Sequence, residues 1–138
     1  MKETVKAGCF LIKPDTREVA LIHREKQDDY SFPKGHAEAG EDIVTCALRE
    51  TAEETKRAAV ILNPQAPFAE RYVTPRGEAC VCYMFIARDD GPSDNTSTDT
   101  HEVCWTPFEQ VEARLSYPSL QATWRAVQHE IAALLGMH

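Results

Sequence analysis

The sequence predicts an α/β fold, formed as one domain by residues 1–138. Two observations lead to this prediction. The chain has 138 residues, of which 43% are hydrophobic, so it can build one proper hydrophobic core, and it contains no linker and no internal repeat. In addition, short β-prone segments alternate along the chain with two stretches of helical periodicity, which is typical of strands and helices that share one core.

The first half of the chain contains two strand candidates and the clearest helix. Residues 5–12 and 19–23 are β-prone, and a Lys-Pro-Asp turn signal follows the first of them. Residues 24–30 are polar and predict a loop. A helix is predicted from Asp42 to about Lys56, because small and apolar side chains recur there at three- and four-residue steps, at Val44, Ala47, Leu48 and Thr51.

The second half begins with a predicted hairpin. Residues 68–73 and 79–87 flank the turn sequence Thr-Pro-Arg-Gly at 74–77. The second arm is apolar at nearly every position, so both of its faces are expected to be covered. The sequence therefore predicts that residues 79–87 form a central strand of the sheet.

The last third of the chain is predicted to hold one loop, one strand and one helix. Residues 89–100 are polar and indicate a tolerated loop insertion. Residues 102–107 predict a final strand. The amphipathic pattern of residues 119–135 predicts a closing helix.

Charge and cysteine content limit the possible partners and location. The net charge is −7, which argues against binding of nucleic-acid polymers but is compatible with a small phosphorylated substrate, since bound metal ions can reverse the local field. No apolar run approaches the roughly 18 residues of a membrane span, so no membrane contact is predicted. The five cysteines form no CxxC pair, which favours reduced thiols and a cytoplasmic location.

The predicted helix carries three glutamates on one face. Glu50, Glu53 and Glu54 stand at i, i+3 and i+4, where side chains are neighbours and like charges repel. Mg²⁺ or Mn²⁺ would offset that repulsion, because hard cations prefer oxygen ligands. Taken alone, however, the pattern favours a solvated acidic surface over a metal site.

The loop before the helix favours the metal interpretation. Pro33, Lys34 and Gly35 precede a second glycine, Gly40, and then Glu41, so an irregular loop leads directly into the helix. Glycine lets the backbone approach a ligand closely and leaves a carbonyl available for coordination. The loop and the glutamate face together therefore predict a ligand site.

These residues resemble the Nudix box of the Nudix hydrolase superfamily. Gly35 is followed after five residues by Glu41, and after seven more by Arg49-Glu50-Thr51-Ala52-Glu53-Glu54. The resemblance implies a Nudix-type α/β/α sandwich with a mixed central β-sheet. It also implies a single Nudix hydrolase domain over residues 1–138, which cleaves a pyrophosphate linkage.

The resemblance further implies roles for the residues of the box. Mg²⁺ or Mn²⁺ would be bound by one carbonyl and three carboxylates, those of Gly35, Glu50, Glu53 and Glu54. Either Glu53 or Glu54 would act as the catalytic residue that orients or deprotonates the attacking water. Glu41 and Arg49 would form a structural ion pair that holds the loop on the helix.

The sequence departs from the family pattern at two places. Thr51 stands where an aliphatic residue is usual, which is a mild change. Lys56 and Arg57 stand where the family has a glycine and an aliphatic residue, and that glycine normally ends the helix through a left-handed cap. The helix is therefore expected to run on or to end differently here.

The string Pro33-Lys34-Gly35-His36 resembles the diadenosine-polyphosphate and diphosphoinositol-polyphosphate hydrolases. Six basic residues are expected to line the substrate pocket: Lys6, Arg24, Lys26, Lys34, His36 and Arg76. Tyr30 and Tyr72 are expected to pack in the core rather than stack on a base. Dense charge with few stacking aromatics favours inositol pyrophosphates as substrates, with dinucleoside polyphosphates as the alternative.

Two further hypotheses are less favoured by the sequence. Hydrolysis of oxidised deoxynucleoside triphosphates would call for base-reading amides, and Gln27 is the only amide side chain before Glu54. A catalytically silent module that binds a ligand or a partner protein would be expected to have lost a helix glutamate, but all three are present.

Overall fold

The fold is built on one mixed β-sheet with helices on both faces. The computed structural model describes residues 2–98 and 101–137, and within them eight strands form the sheet. The strands are β1 Thr4–Lys13, β2 Glu18–Arg24, β3 Asp29–Ser31, β4 Lys34–His36, β5 Arg57–Ile61, β6 Phe68–Val73, β7 Ala79–Pro92 and β8 Glu102–Pro107. The helices are α1 Ile43–Thr55, α2 Val111–Arg114, which follows a 3₁₀ turn, and α3 Pro118–Leu135.

The centre of the sheet is a parallel pair. β1 and β7 run parallel from Thr4 opposite Cys80 to Ile12 opposite Arg88, and the other pairings are antiparallel. The main path is β3-β2-β1-β7-β5, while β4 pairs with β1, β6 with β7 and β8 with β2. The mixed sheet and the central position of the second hairpin arm are thereby confirmed.

Two hydrophobic clusters cover the two faces of the sheet. Phe10 of β1 points into the cluster that contains Trp124 of α3. Its neighbour Leu11 points into the cluster that contains Ala47 of α1 and Phe85 of β7. Because successive side chains of a strand alternate between faces, β1 supplies both cores, and the α/β/α sandwich is confirmed.

Helix α1 begins with a side-chain cap. Asp42 is the N-cap, and its carboxylate accepts a hydrogen bond from the Thr45 amide at 2.8 Å. The helix ends at Thr55, and Lys56 takes the left-handed conformation at φ 59°, ψ 29°. The helix therefore ends where the family pattern places its glycine, with a lysine in that position.

Both the backbone and the side chain of Lys56 form hydrogen bonds at this unusual cap. The backbone amide donates to the Ala52 carbonyl at 3.0 Å, as a left-handed cap requires. Its Nζ donates to the Glu53 carbonyl at 2.9 Å and to the Ser97 carbonyl. Lys56 therefore caps the C-terminus of α1 and also forms a hydrogen bond to the segment that follows β7.

Several predicted loops contain strand structure. Three strands, β3, β4 and β5, have no counterpart in the sequence prediction, and part of the predicted loop at 24–30 belongs to β2 and β3. The predicted loop at 89–100 is also corrected, because β7 continues to Pro92 in its pairing with β5. Arg57 and Asp89 reinforce that pairing, with Nε 2.8 Å from Oδ1 and Nη2 2.7 Å from Oδ2. Residues 99 and 100 lie outside the described residues.

In the part of the chain that the structure describes, no helix is both long enough and apolar enough to cross a membrane. The longest helix, α3, instead packs its buried residues Trp124, Val127 and Ile131 against the sheet.

Candidate active site

Strand β4 lies against the glutamate face of α1 at a glycine. Gly35 pairs with Ala7 of β1, and a Cβ built on Gly35 would lie 2.6 Å from Glu50 Oε1 and closer still to Oε2. Only a residue without a side chain lets the β4 backbone approach this carboxylate so closely. The Gly35 backbone and the Glu50 carboxylate therefore share one wall of the site.

Arg49 connects the loop before α1 to the glutamate face. Its Nε and Nη2 bind Glu41 at 2.7 and 2.9 Å, and Nη2 also donates to the His36 carbonyl at 3.0 Å. Its Nη1 lies 2.9 Å from Glu50 and 3.2 Å from both oxygens of Glu53. These hydrogen bonds raise the pKa of Arg49, and the hydrogen bond from Arg49 lowers the pKa of Glu41 to about 2.

Glu54, the third carboxylate of this face, also contacts strand β4. Its Oε1 accepts a hydrogen bond from the Lys34 backbone amide at 2.8 Å, and its side chain borders a cavity. The bond between Lys34 and Glu54 therefore joins β4 to the end of α1.

The donor set on this face suits a hard divalent cation in its chemistry. Three carboxylates and a backbone carbonyl are oxygen ligands, which Mg²⁺ and Mn²⁺ prefer. As the side chains stand, no group of three His, Cys, Asp or Glu residues within 2–98 and 101–137 is arranged to hold a metal ion. Glu50 and Glu53 are turned towards Arg49 and Glu54 towards the Lys34 amide, so ligation requires a change of side-chain rotamer.

A cavity of about 440 Å³ opens beside Glu54, on the face of the sheet that α3 covers. Most of its wall is apolar or aromatic, at Ile22, Phe32, Tyr72, Cys82, Met84, Tyr117 and Leu120. The polar part consists of Arg24, Ser31, Lys34, Glu54, Glu70, His101, Ser119 and Thr123. Its size and its mixed lining are those of a small-molecule site.

Two of the six predicted basic residues line this cavity. Lys34 reaches it from β4, next to Glu54. Arg24 reaches it from the end of β2 and is held there by Asp29, with Nε 2.8 Å from Oδ1. The hydrogen bond from Arg24 lowers the pKa of Asp29 to about 2, and the Tyr117 hydroxyl donates to the same carboxylate.

A third basic residue lies close to an aromatic residue that lines the cavity. Lys6 Nζ sits 5.6 Å from the ring centroid of Tyr72, which lines the cavity. Burial by itself lowers the pKa of Lys6, but the hydrogen bond with Tyr72 and the electrostatic attraction of Tyr72, Cys80 and Cys82 together outweigh it, and the pKa is raised. Lys6 is therefore a charged neighbour of the cavity and not one of its lining residues.

The other three predicted basic residues do not line the cavity. Lys26 lines a second, neighbouring pocket together with His23 and Gln27. His36 is exposed at the end of β4, and its backbone carbonyl accepts a hydrogen bond from Arg49. Arg76 is exposed in the turn between β6 and β7. The expected convergence of six cations is therefore corrected to two lining residues and one neighbour.

The sequence reasoning missed the residues that shape the cavity. Glu70 and Tyr72 come from β6, and Ser119, Leu120 and Thr123 come from α3. Tyr30 and Tyr72 both pack against the core cluster, as expected. Tyr30 also stacks on His23, with ring centroids 4.6 Å apart, and Tyr72 also lines the cavity. The two-residue period of a strand is the signal that could have located the cavity residues of β6, because it places residues 68, 70 and 72 on one face. The alternating exposure of β6 agrees with this placement.

Comparison with known proteins identifies the family of this chain. The family model described as the NUDIX domain matches residues 2–128. The chain therefore belongs to the NUDIX domain family, in agreement with its fold and with the glycine and glutamate arrangement of α1 and β4.

Two curated relatives are similar over about three quarters of the chain. One is an 8-oxo-(d)GTP phosphatase of Mycolicibacterium smegmatis, 34% identical over 105 residues, which are 76% of this chain and 32% of that protein. A second relative, from Mycobacterium tuberculosis, is 31% identical over 108 residues, which are 75% of this chain and 44% of that protein. The chain thus matches less than half of the length of either relative.

Solved structures with the same fold cover nearly the whole chain. A NUDIX hydrolase from Nitrosomonas europaea superimposes with a TM-score of 0.76 at 17% identity, over 94% of this chain and 90% of that one. An Ap4A hydrolase from C. elegans, in a binary complex, also has a TM-score of 0.76, at 22% identity over 94% of this chain and 98% of that one. At these identities the likeness extends to the fold alone.

Proposed function

We propose that this chain is a metal-dependent hydrolase that cleaves a pyrophosphate linkage in a nucleotide. The observation that carries this proposal is the position of Glu54. It belongs to the glutamate face of α1 and also borders the cavity of about 440 Å³. A ligand bound in the cavity with its phosphates towards Glu54 would bring them to the carboxylate face.

The metal would be held by the Gly35 carbonyl and by the carboxylates of Glu50, Glu53 and Glu54. When bound, Mg²⁺ or Mn²⁺ lowers the pKa of a coordinated water and neutralises charge on the leaving phosphate. Glu53 or Glu54 would orient or deprotonate the attacking water, which makes them the proposed catalytic residues.

Neighbouring groups of the chain position these carboxylates and the substrate. The Lys34 amide fixes Glu54, and Arg49 holds Glu50 and Glu53 beside each other. The Lys34 and Arg24 side chains are the cations of the cavity wall and would bind phosphate oxygens. The Glu41–Arg49 ion pair would act as a structural brace that keeps the loop in register with α1.

The cavity chemistry reverses the order of the substrate hypotheses. An inositol pyrophosphate needs dense positive charge, but only two of the expected cations line the wall, and Phe32, Tyr72 and Met84 make much of it apolar. An apolar and aromatic wall suits a nucleobase. The similarity to an 8-oxo-(d)GTP phosphatase supports a nucleoside triphosphate as the first candidate substrate.

A dinucleoside polyphosphate is the second candidate. The fold similarity to an Ap4A hydrolase favours it, as does the string Pro33-Lys34-Gly35-His36. A catalytically silent module that binds a ligand or a partner protein remains the alternative from another functional class.

The proposed domain includes all of α3. Ile131 lies beyond the residues that the family model matches, but its side chain is fully buried in the core.

The proposal is tested by chromatographic detection of the hydrolysis products formed with Mg²⁺ or Mn²⁺ from 8-oxo-dGTP, dGTP, diadenosine tetraphosphate and an inositol pyrophosphate, which include nucleotides and pyrophosphate as well as phosphate. We expect turnover of a nucleotide that falls by roughly 100-fold or more in Glu53→Gln or Glu54→Gln. Glu130→Gln, an exposed carboxylate on α3, is the matched control and should keep wild-type activity. Full turnover in both site variants would refute the metal assignment, and faster turnover of the inositol compound would refute the substrate class.

A further inference from the structure

Glu70 is a carboxylate residue that lines the cavity but does not belong to the glutamate face of α1. It lies on β6 opposite Cys82 of β7, and both side chains line the cavity. Its Oε2 lies 3.0 Å from the hydroxyl of Thr123, which is buried in α3. The proposed hydrolysis uses the helix glutamates and gives Glu70 no part.

The hydrogen bonding of Glu70 is incomplete. The Thr123 hydroxyl has one proton, and two acceptors lie 3.0 Å away, the Glu70 carboxylate and the Ser119 carbonyl. Within residues 2–98 and 101–137, no lysine, arginine or histidine forms an ion pair with Glu70. The two carboxylate oxygens therefore keep acceptor positions that donors of a ligand in the cavity can fill.

The chemistry of a carboxylate specifies what that ligand must offer. An ionised carboxylate only accepts hydrogen bonds, and its two oxygens match two parallel N–H donors. A guanine-type base presents this edge, with N1–H beside the 2-amino group. Adenine presents an amino group beside a ring nitrogen whose lone pair would face a carboxylate oxygen.

We infer that Glu70 is a specificity-determining residue that reads the N1–H and 2-amino edge of a guanine-type base. This inference rests on the proposed nucleotide substrate and deepens it. The base lies between the apolar wall and Glu70, while the phosphates extend towards Lys34 and Glu54. Thr123 positions the carboxylate from α3.

Direct binding tests this without hydrolysis. GMP, IMP and AMP, which contain no pyrophosphate linkage, are titrated into the metal-free protein by calorimetry. We expect GMP to bind roughly tenfold or more tightly than AMP, because a good bidentate contact is worth that much discrimination. IMP, which lacks the 2-amino group, should fall between them.

Glu70→Gln should bring GMP and AMP to within about twofold of each other, whereas the control Glu130→Gln should keep the wild-type ratio. Equal affinities in the wild type, an unchanged ratio in Glu70→Gln, or no binding of any of the three would overturn the inference. Should Glu70→Gln fail to fold, N1-methyl-GMP tests the wild type from the ligand side. It should bind no better than AMP, and binding equal to that of GMP would overturn the inference.

The outcomes also separate this inference from the proposed hydrolysis. Glu70-dependent GMP binding without metal-dependent cleavage of any nucleotide would refute the proposed reaction and leave the base contact standing. Metal-dependent cleavage of nucleotides with no base preference would support the reaction and refute the role of Glu70.

Discussion

The guanidinium of Arg49 holds both carboxylate oxygens of Glu41, with Nε 2.7 Å from Oε2 and Nη2 2.9 Å from Oε1. The Glu41 side chain is only 10% exposed and that of Arg49 22%, so water competes weakly for this pair. Because the same guanidinium contacts Glu50 and Glu53, the pair sets the position of the glutamate face as well as that of the loop.

Loss of this ion pair is expected to reduce stability in a pH-dependent way. Glu41→Gln removes the negative charge and one of the two oxygens that accept from Arg49, and should lower the free energy of unfolding by about 2 kcal/mol at neutral pH. The pKa of Glu41 is lowered in the fold from 4.5 to about 2, so its contribution is complete above pH 4.5 and is lost as the pH falls towards 2. Urea unfolding at several pH values measures this.

The variant should therefore lose less stability than the wild type between pH 4.5 and pH 2. Glu130→Gln is the control, since its exposed side chain on α3 should leave the pH profile unchanged. Parallel profiles for Glu41→Gln and the wild type would show that the ion pair does not stabilise the fold.

Gly8 and Gly35, which both lie in the pairing of β1 with β4, should respond differently to substitution by alanine. A Cβ on Gly35 would overlap the Glu50 carboxylate, the far end of a flexible side chain, whereas a Cβ on Gly8 would overlap the Pro33 carbonyl and lie 2.7 Å from Lys34 Cα. Gly35→Ala should cost less than about 1 kcal/mol of stability but weaken Mn²⁺ binding roughly tenfold or more, because Glu50 must move. Gly8→Ala should cost about 3 kcal/mol.

Denaturant unfolding and Mn²⁺ titration followed by electron paramagnetic resonance check this pair of variants. Unchanged Mn²⁺ affinity in a folded Gly35→Ala protein would remove Glu50 and Gly35 from the metal site. A Gly8→Ala protein as stable as the wild type would mean that β1 and β4 can separate without cost.

The parts of the fold that the sequence predicts well are those determined by neighbours in the chain. The stripe of Val44, Ala47 and Leu48 and the cap at Asp42 define α1 locally, and the uniformly apolar run of β7 indicates a strand covered on both sides. The glutamate face could be predicted for the same reason, because its three carboxylates lie on one turn of one helix.

The parts that the sequence does not reveal depend on distant partners. β3 and β4 have three residues each and exist because β2 and β1 pair with them, and β5 depends on the extension of β7. The cavity combines β6 with α3, some fifty residues apart, as in the contact between Glu70 and Thr123. Basic residues in turns, such as Arg76, carry no signal of where their side chains point.

At position 56, where α1 ends, glycine should give a more stable protein than alanine, which is the reverse of their usual order in a helix. Lys56 is left-handed at φ 59°, a conformation that costs a non-glycine residue roughly 1 kcal/mol. Lys56→Ala keeps that cost and loses the Nζ bonds to Glu53 and Ser97, whereas Lys56→Gly loses the bonds but removes the strain. Lys56→Gly should therefore be about 1 kcal/mol more stable than Lys56→Ala.

Ala52 is the matched control because it lies in the interior of the same helix. Ala52→Gly should destabilise the protein by about 0.5–1 kcal/mol, the usual direction for a helix. Thermal and urea unfolding measure both positions. If the Lys56→Ala protein were more stable than the Lys56→Gly protein, the left-handed conformation at position 56 would not be strained.

The positions of the basic residues predict unequal effects on substrate binding. Lys34 lines the cavity beside Glu54, while Arg76 is exposed in a turn and lines no part of it. Lys34→Ala should raise KM for the best nucleotide roughly tenfold or more, since a charge-assisted contact to phosphate is lost, and Arg76→Ala should leave KM within about twofold. Lys6→Ala should have an intermediate effect, because Lys6 acts through the ring of Tyr72. Steady-state kinetics on the three variants provide the measurement, and a larger effect of Arg76→Ala than of Lys34→Ala would place the phosphates on the β6–β7 turn instead of beside Glu54.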